Sequence, residues 1–238
     1  MNSKERVGFS RDLVNMHYIY PANMDFAGYE LLVQQLHNRE ISEEEFNSEV
    51  ARLETVNTDW FDLLTKDAFS HQHTLSLSGG SEQGRYYASL GYSRDNDVIR
   101  NAYNDRYTVM MSLSSNFGKW LTASFNLSGN ISERNYNQSS LNVIDYAYKT
   151  SRAIPAFTEE GEYEYYDRAS TSHNGQKFGY NILNEMENSY DQQESSSISL
   201  NTNLQFKFTD WLKGNLTMAY TTTNTNMENY WGEKTYYA

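Results

Sequence analysis

Apolar and polar residues alternate along residues 106–131, which a short turn at residues 116–119 divides in two. The period of two predicts two strands, each with one apolar and one polar face. The apolar positions are Tyr107, Val109, Met111, Leu113, Leu121, Ala123, Phe125, Leu127 and Ile131. The opposite face of the second strand carries only Ser, Thr and Asn before Glu133. An uncharged polar face opposite a bare apolar face is typical of a membrane β-barrel, with lipid outside and a wet lumen inside.

The same alternation recurs elsewhere and predicts a mainly β fold. Strands are predicted near residues 73–79, 85–93, 105–115, 120–132, 197–208 and 212–225. Residues 133–195 form a long connection with some local helical order, and the other connections are much shorter. Long outer loops that alternate with tight turns are the arrangement of outer-membrane barrels. We therefore expect an antiparallel meander of about six strands that forms part of an outer-membrane β-barrel, with a long outer loop.

Residues 1–71 have helical spacing instead. Helices are predicted near residues 9–16, 26–37 and 59–66, and a further helix begins after Ser42. Ser42 and Glu45 have the spacing of a capping box, in which each side chain accepts from the other residue's backbone amide. We expect residues 1–71 to be an N-terminal helical segment inserted as an outer loop, and residues 72–238 to be a partial barrel.

Two turns share the pattern Phe-x-x-Trp-Leu, at residues 117–121 and 208–212. Trp120 and Trp211 are therefore predicted to lie at the membrane interface, in the aromatic belt where strands leave the lipid. The alternative is that both tryptophans cover the end of a soluble sheet. The turn at 116–119 is expected to be periplasmic, because the longest loop leaves from the other end of that hairpin.

Composition narrows the function classes. Net charge is −12 with a pI near 4.8, which does not favour a nucleic-acid partner, because phosphate binding needs a basic surface. The chain has no Cys, which excludes thiol chemistry and Cys-ligated metals. It also lacks any run of about 18 apolar residues, so no membrane-spanning helix is expected. The N-terminus has no apolar core of a signal peptide, and we therefore expect the sequence to be a piece of a longer exported protein.

Catalytic and metal-binding patterns are weak. Four glutamates cluster at Glu159, Glu160, Glu162 and Glu164. Paired carboxylates serve glycoside hydrolysis, which leaves an extracellular glycosidase as an alternative, but a solvated loop is the preferred interpretation. His71 and His73 share a strand face, yet the sequence suggests no third metal ligand. We expect no enzyme activity, no metal and no cofactor.

Seven tyrosines in or near the long connection are the best binding candidates. They are Tyr136, Tyr146, Tyr148, Tyr163, Tyr165, Tyr166 and Tyr180. Aromatic rings stack on sugars and anchor protein interfaces, so the group is predicted to contact substrate or a partner. For any single tyrosine the alternative is packing of the loop on itself.

Short segments that follow one another in a distinctive order identify a family resemblance. They are NTDWFDLL (57–64), AFS (68–70), HTLSLSGG (73–80), YYASLGY (86–92), RY (106–107), RAIPA (152–156) and NILNE (181–185). In order and spacing they resemble the SusC/RagA family of TonB-dependent outer-membrane receptors. The resemblance extends from about residue 4 to residue 226, nearly the whole chain.

This resemblance implies a barrel of roughly 22 strands with an N-terminal plug domain. It implies import of glycans, peptides or other large nutrients across the outer membrane of Gram-negative, Bacteroidetes-type bacteria. The implied partners are a SusD-like surface lipoprotein, the TonB complex acting through the N-terminal region, the oligosaccharide or peptide cargo, and outer-membrane lipid. Six strands cannot close such a barrel, so we expect an internal fragment of the barrel region. A soluble all-β glycan-binding module with a helical cap remains the alternative.

Overall fold

The structure is a computed structural model, and it describes residues 1–20, 25–169 and 175–238. The chain forms two compact units. Unit 1 comprises Met1–Lys66, Gln138–Ser189 and Tyr230–Ala238, and unit 2 comprises Asp67–Asn137 and Tyr190–Asn229. Unit 1 holds all the helices found in the described residues, whereas unit 2 is built on one antiparallel sheet. The predicted mainly β fold with N-terminal helices is confirmed.

Eight strands lie in the described part of the chain. They are β1 (His71–Gly80), β2 (Gly84–Asn96), β3 (Tyr103–Phe117), β4 (Leu121–Tyr136), β5 (Tyr166–Ala169), β6 (Lys177–Tyr180), β7 (Ser189–Lys207) and β8 (Lys213–Trp231). Six of them form a meander in the order β1-β2-β3-β4-β7-β8, and β5 pairs with β6 in a separate hairpin. The predicted meander of about six strands is thereby confirmed.

The register of the sheet brings the apolar positions of different strands into rows. Leu75, Leu90, Val109, Gly129 and Ile198 are successive partners across β1, β2, β3, β4 and β7. Because side chains alternate between the two faces of a sheet, each such row lies on a single face. The alternation that the sequence shows in separate strands therefore becomes one continuous apolar surface.

Six α-helices lie in the described residues, all in unit 1. They are α1 (Ser3–Asn15), α2 (Tyr29–His37), α3 (Glu43–Val56), α4 (Trp60–Leu64), α5 (Val143–Lys149) and α6 (Ile182–Glu187). The predicted capping box of α3 is present, with Glu45 N donating to Ser42 Oγ (3.2 Å) and Ser42 N to Glu45 Oε2 (2.8 Å). No helix in the described ranges is both long and apolar enough to cross a membrane.

The core of unit 1 joins segments that are far apart in sequence. Val7, Tyr29, Val50 and Leu53 of α1, α2 and α3 pack together with Ala153, which follows α5. This core combines the N-terminal helices with the connection between β4 and β7. The insertion of residues 1–71 as an outer loop stays a prediction.

Hydrogen bonds to backbone carbonyl groups tie together three of the segments that carry the family resemblance. Thr58 N donates to Arg152 O (2.8 Å), and Thr58 Oγ1 donates to Ile154 O (2.7 Å). Asn181 Nδ2 then donates to Ala156 O (3.0 Å) and to Glu164 O (2.8 Å). The segments 57–64, 152–156 and 181–185 thus meet in one network, and each satisfies backbone groups that packing would otherwise leave unpaired.

Candidate functional site

The apolar face of the sheet in unit 2 is exposed. Leu75, Leu90 and Ile131 keep 74%, 60% and 59% of their surface accessible. A soluble monomer rarely exposes a contiguous apolar patch larger than a few hundred Å². Since the register makes these positions neighbours, the exposure belongs to one surface, which we name the apolar band: the rows between Tyr107 and Phe117 of β3.

Aromatic rings border the apolar band at one end. Tyr92 and Tyr107 are cross-strand partners with ring centroids 5.0 Å apart, and His73 is the partner of Tyr92 on its other side. The next row outward is charged, where Arg94 Nη1 lies 3.3 Å from Asp105 Oδ2. The surface therefore changes from apolar to aromatic to charged over two rows.

The two predicted interface tryptophans lie near the other end. Trp120 immediately precedes β4, and its ring centroid lies 6.3 Å from that of Phe206, which in turn stacks on Phe208 at 5.8 Å. Trp211 lies in the turn before β8 and is 83% exposed. Their assignment to a membrane interface stays a prediction.

The opposite face of the sheet is lined by hydroxyl and amide groups that pair across strands. Ser112 Oγ donates to Asn126 Oδ1 (2.7 Å), and Asn203 Nδ2 donates to Thr217 Oγ1 (2.9 Å). Many of these side chains are exposed, so they meet solvent and are not part of a packed core. We name this surface the polar face.

A second candidate site is a cavity of about 410 Å³ within unit 1. Three of the seven predicted tyrosines line it: Tyr146 of α5, Tyr166 of β5 and Tyr180 of β6. Tyr166 and Tyr180 are direct partners across the β5/β6 hairpin. The ring of Tyr146 is fixed by Trp60, whose centroid lies 5.2 Å away in an edge-on arrangement.

Arg168 is the residue of this cavity that the sequence analysis missed. It stands two positions after Tyr166 in β5 and therefore shares its face of the hairpin. Its guanidinium carbon lies 4.5 Å from the ring centre of Tyr180 and 5.4 Å from that of Tyr236. A glycine at position 175, where the backbone φ is positive between the two strands, is the one local signal of a turn there.

Burial keeps the tyrosines of the cavity neutral. It raises the pKa of Tyr146 to about 12, and it raises the pKa values of Tyr166 and Tyr180 as well. A neutral phenol donates one hydrogen bond and accepts others. The Tyr166 hydroxyl already donates to Pro155 O (2.6 Å).

The other four predicted tyrosines lie outside this cavity. Tyr136 ends β4 in unit 2, Tyr148 is exposed on α5, and Tyr165 is exposed just before β5. Tyr163 stacks on Phe157 with ring centroids 5.6 Å apart, so it packs its own loop. Contact of any of the seven with substrate or partner stays a prediction.

The acidic cluster and the histidine pair that the sequence analysis singled out lie apart from this cavity. Glu159, Glu160 and Glu162 are exposed around a turn, and Glu164 N donates to Ala156 O (3.1 Å). The ring centroids of His71 and His73 lie 5.2 Å apart, with the two ring planes tilted by 46°. Within the described residues, no group of three or more His, Asp or Glu side chains is placed to hold a metal ion.

Sequence comparison finds similar receptors. No family model matches the chain. The TonB-dependent receptor SusC of Bacteroides thetaiotaomicron is 37% identical over 67 residues, which cover 28% of this chain and 7% of that receptor. The TonB-dependent receptor P3 of Formosa agariphila is 22% identical over 180 residues, which cover 72% of this chain and 17% of that receptor.

Structure comparison finds the same fold in a solved importer. The RagAB peptide importer in its closed-closed state superposes with a TM-score of 0.57 at 23% identity, covering 73% of this chain and 20% of the matched chain. The open-open state of the same importer superposes with a TM-score of 0.56 at 21% identity, covering 88% of this chain and 26% of the matched chain. The resemblance to the SusC/RagA family is confirmed.

This SusC/RagA-like chain is short beside its relatives. A third relative, the TonB-dependent receptor P26 of Formosa agariphila, is 27% identical over 111 residues, which cover 47% of this chain. The matched regions cover 7%, 17% and 11% of the SusC, P3 and P26 receptors, respectively. All three are named as receptors and none as an enzyme. The six-stranded sheet accordingly corresponds to part of a larger β fold.

Proposed function

We propose that this chain forms part of the barrel wall and loops of a TonB-dependent outer-membrane receptor of the SusC/RagA type. The observation that carries the proposal is the exposed apolar band opposite a polar face rich in hydroxyl and amide groups. In water such a band would be covered or would cause aggregation, whereas in a membrane it faces lipid. The polar face then lines the lumen.

The height of the apolar band supports this assignment. Tyr107 and Phe117 lie ten residues apart on β3, which corresponds to about 33 Å along an extended strand. Strands of outer-membrane barrels tilt by roughly 35–45°, which reduces that length to about 23–27 Å across the membrane. The apolar band of such barrels is about 25 Å tall, in agreement with this value.

Import of a large nutrient is the activity that we assign to the whole receptor. The descriptions of the solved structures support it, since they name a peptide importer and a peptide transporter. Glycans or peptides would be the cargo, a SusD-like lipoprotein the surface partner, and the TonB complex the energy source. The turn at residues 116–119 would then be periplasmic.

Cell fractionation tests the proposed function. Cells that express the full-length gene should contain the protein in the outer-membrane fraction, because the apolar band is stable only against lipid. A soluble periplasmic marker and an inner-membrane marker serve as controls in the same gradient. Recovery with the periplasmic marker would overturn the proposal and favour the soluble glycan-binding module.

A further inference from the structure

The unit 1 cavity has the size of a small-molecule site. Its volume of about 410 Å³ lies within the range of roughly 300–1,000 Å³ that such sites occupy. Apolar side chains and tyrosine rings form most of its wall, including Phe26 and Ile154 beside Tyr146. Sites of this kind bind through apolar contact and are made specific by a few polar groups.

Most charged groups around the cavity already have partners. Arg6 Nη2 lies 3.6 Å from Glu30 Oε1. Lys149 pairs with an aspartate one turn before it on α5 (2.8 Å). Asp25 accepts a hydrogen bond from Ala169 N (2.9 Å). These groups therefore shape the wall but have little capacity left for a ligand.

Arg168 differs from these charged groups in its partners. No ion pair found in the described part of the chain includes it, and its guanidinium rests on the rings of Tyr180 and Tyr236. The buried acid Glu185 already accepts a hydrogen bond from Tyr236 N (2.8 Å), and burial raises the pKa of Glu185, which favours its neutral form. A guanidinium stacked on an aromatic ring keeps its N–H edge available for an oxyanion.

Tyr180 provides a second unused donor. Only 5% of its surface is accessible, and its hydroxyl has no hydrogen-bond partner among the described residues. Buried hydroxyl groups are normally bonded, because leaving one unpaired costs free energy. This hydroxyl belongs to a side chain that lines the cavity beside Arg168.

We propose that the unit 1 cavity binds the carboxylate end of a small hydrophilic ligand. The carboxylate accepts a hydrogen bond from the Arg168 guanidinium and, after a small shift of the surrounding side chains, a second one from the Tyr180 hydroxyl, which is fully buried in this structure. The body of the ligand lies against the rings of Tyr146 and Tyr166. A uronic acid at the end of a glycan and the C-terminus of a peptide both offer this chemistry.

Calorimetric titration of the full chain in detergent micelles tests the proposal with two matched pairs of probes. One pair is D-glucuronate and D-glucose, and the other is a short peptide with a free or an amidated C-terminus. In at least one pair the carboxylate member should bind at least about tenfold more tightly, because charge-assisted hydrogen bonds are the strong ones. The pair that shows this preference identifies the source of the carboxylate. Equal binding within both pairs would overturn the proposal.

Two variants assign the effect to the cavity. Tyr180→Phe removes only the hydroxyl and keeps the ring that supports Arg168, and it should weaken carboxylate binding about tenfold. Arg168→Gln should weaken it about a hundredfold and abolish the preference over the neutral probe. Arg39→Gln, at an exposed turn position two residues after the end of α2, is the control and should bind as the parent does.

Folding of each variant is checked by near-ultraviolet circular dichroism. Tyr180→Phe keeps the packed ring, so it tests the proposal even if Arg168→Gln fails to fold. Parent-like affinity in a folded Tyr180→Phe variant would refute the assignment. Binding is measured without transport, so a negative result here leaves the proposed receptor function unaffected, and a positive one does not depend on it.

Discussion

Burial changes the acid–base behaviour of individual tyrosines in unit 1. The pKa values of Tyr146 and Tyr163 are raised to about 12, in both cases chiefly because burial disfavours the charged form. In the unfolded chain a tyrosine ionises near pH 10. Each of these side chains therefore stabilises the fold fully below about pH 10, and that contribution is lost as the pH rises toward about 12.

Replacement of Tyr146 tests this behaviour. In Tyr146→Phe the free energy of unfolding should fall less steeply between about pH 10 and 12, by on the order of 2 kcal/mol over that interval. A pH titration followed by absorbance at 295 nm, which reports tyrosine ionisation, should also show one fewer tyrosine that ionises at high pH. The control is Tyr148→Phe on the exposed side of α5, for which the steep fall should persist. An unchanged late step in Tyr146→Phe would show that Tyr146 ionises as a free phenol.

Residue-scale features were only partly predictable from the sequence. Counting tyrosines in the long connection selected Tyr146, Tyr166 and Tyr180, which share a cavity, together with four that do not. Burial separates the two groups, and burial depends on contacts such as that of Tyr146 with Trp60, 86 positions earlier in the chain. Arg168 was missed because a single arginine in a polar loop has no periodic signal of its own.

At the scale of elements, the strands of the meander have two faces that can be compared side by side. Met110 and Met111 are adjacent in β3 and have the same side chain. Met111 lies opposite Leu127 on the apolar band, and Met110 lies opposite Ser128 on the polar face. Both residues are exposed: 40% of the surface of Met111 and 52% of the surface of Met110 are accessible. Substitution of arginine at each of the two positions in turn therefore tests which face contacts lipid.

We expect Met111→Arg to destabilise the receptor in the membrane by about 2–4 kcal/mol, as an arginine does near the bilayer midplane. Met110→Arg should be tolerated, because a side chain that faces the proposed lumen remains in water. Urea unfolding of the full-length receptor in lipid vesicles measures both changes. Equal destabilisation by the two substitutions would contradict the assignment of faces.

Strand existence was predictable, but strand ends were not. Alternation located the six strands of the meander because each has one apolar face. In the structure β4 runs on to Tyr136 and β7 begins at Ser189, both beyond the alternating residues. Backbone hydrogen bonds continue the pairing through polar partners such as Glu133 and Glu194, and these bonds do not depend on side-chain polarity. The four-residue strands β5 and β6 were too short for alternation to reveal.

At the scale of the whole molecule, the exposed apolar band and the outer strands of the sheet determine how the chain behaves in water. β1 and β8 stand at the two ends of the six-stranded order. Edge strands and exposed apolar surface both favour association with other chains. We therefore expect the 238-residue chain to aggregate without detergent and to become monodisperse in detergent micelles.

Size-exclusion chromatography with light scattering measures this behaviour across a detergent series. A mixture kept below the critical micelle concentration is the control for the detergent molecule itself. A monodisperse chain that melts cooperatively without detergent would contradict the expectation. That outcome would favour a soluble glycan-binding module, in which a second layer covers the apolar face.

Long-range assembly was the least predictable property. The segments 57–64, 152–156 and 181–185 were recognised by their order along the chain, yet no local pattern indicated that they meet. The contact of Thr58 with Ile154 joins residues 96 positions apart, and it depends on hydrogen bonds to backbone carbonyls, which every residue type carries. Side-chain periodicity has no information about such bonds.

The polar face has a kinetic consequence for any solute that passes along it. Its hydroxyl and amide groups bond to one another, as Ser112 does to Asn126 and Asn203 does to Thr217. A surface that satisfies its own donors holds a passing solute only weakly, so each encounter is brief. In the receptor wall that we propose, this favours rapid transit of a hydrophilic cargo and leaves the discrimination between cargo molecules to the loops.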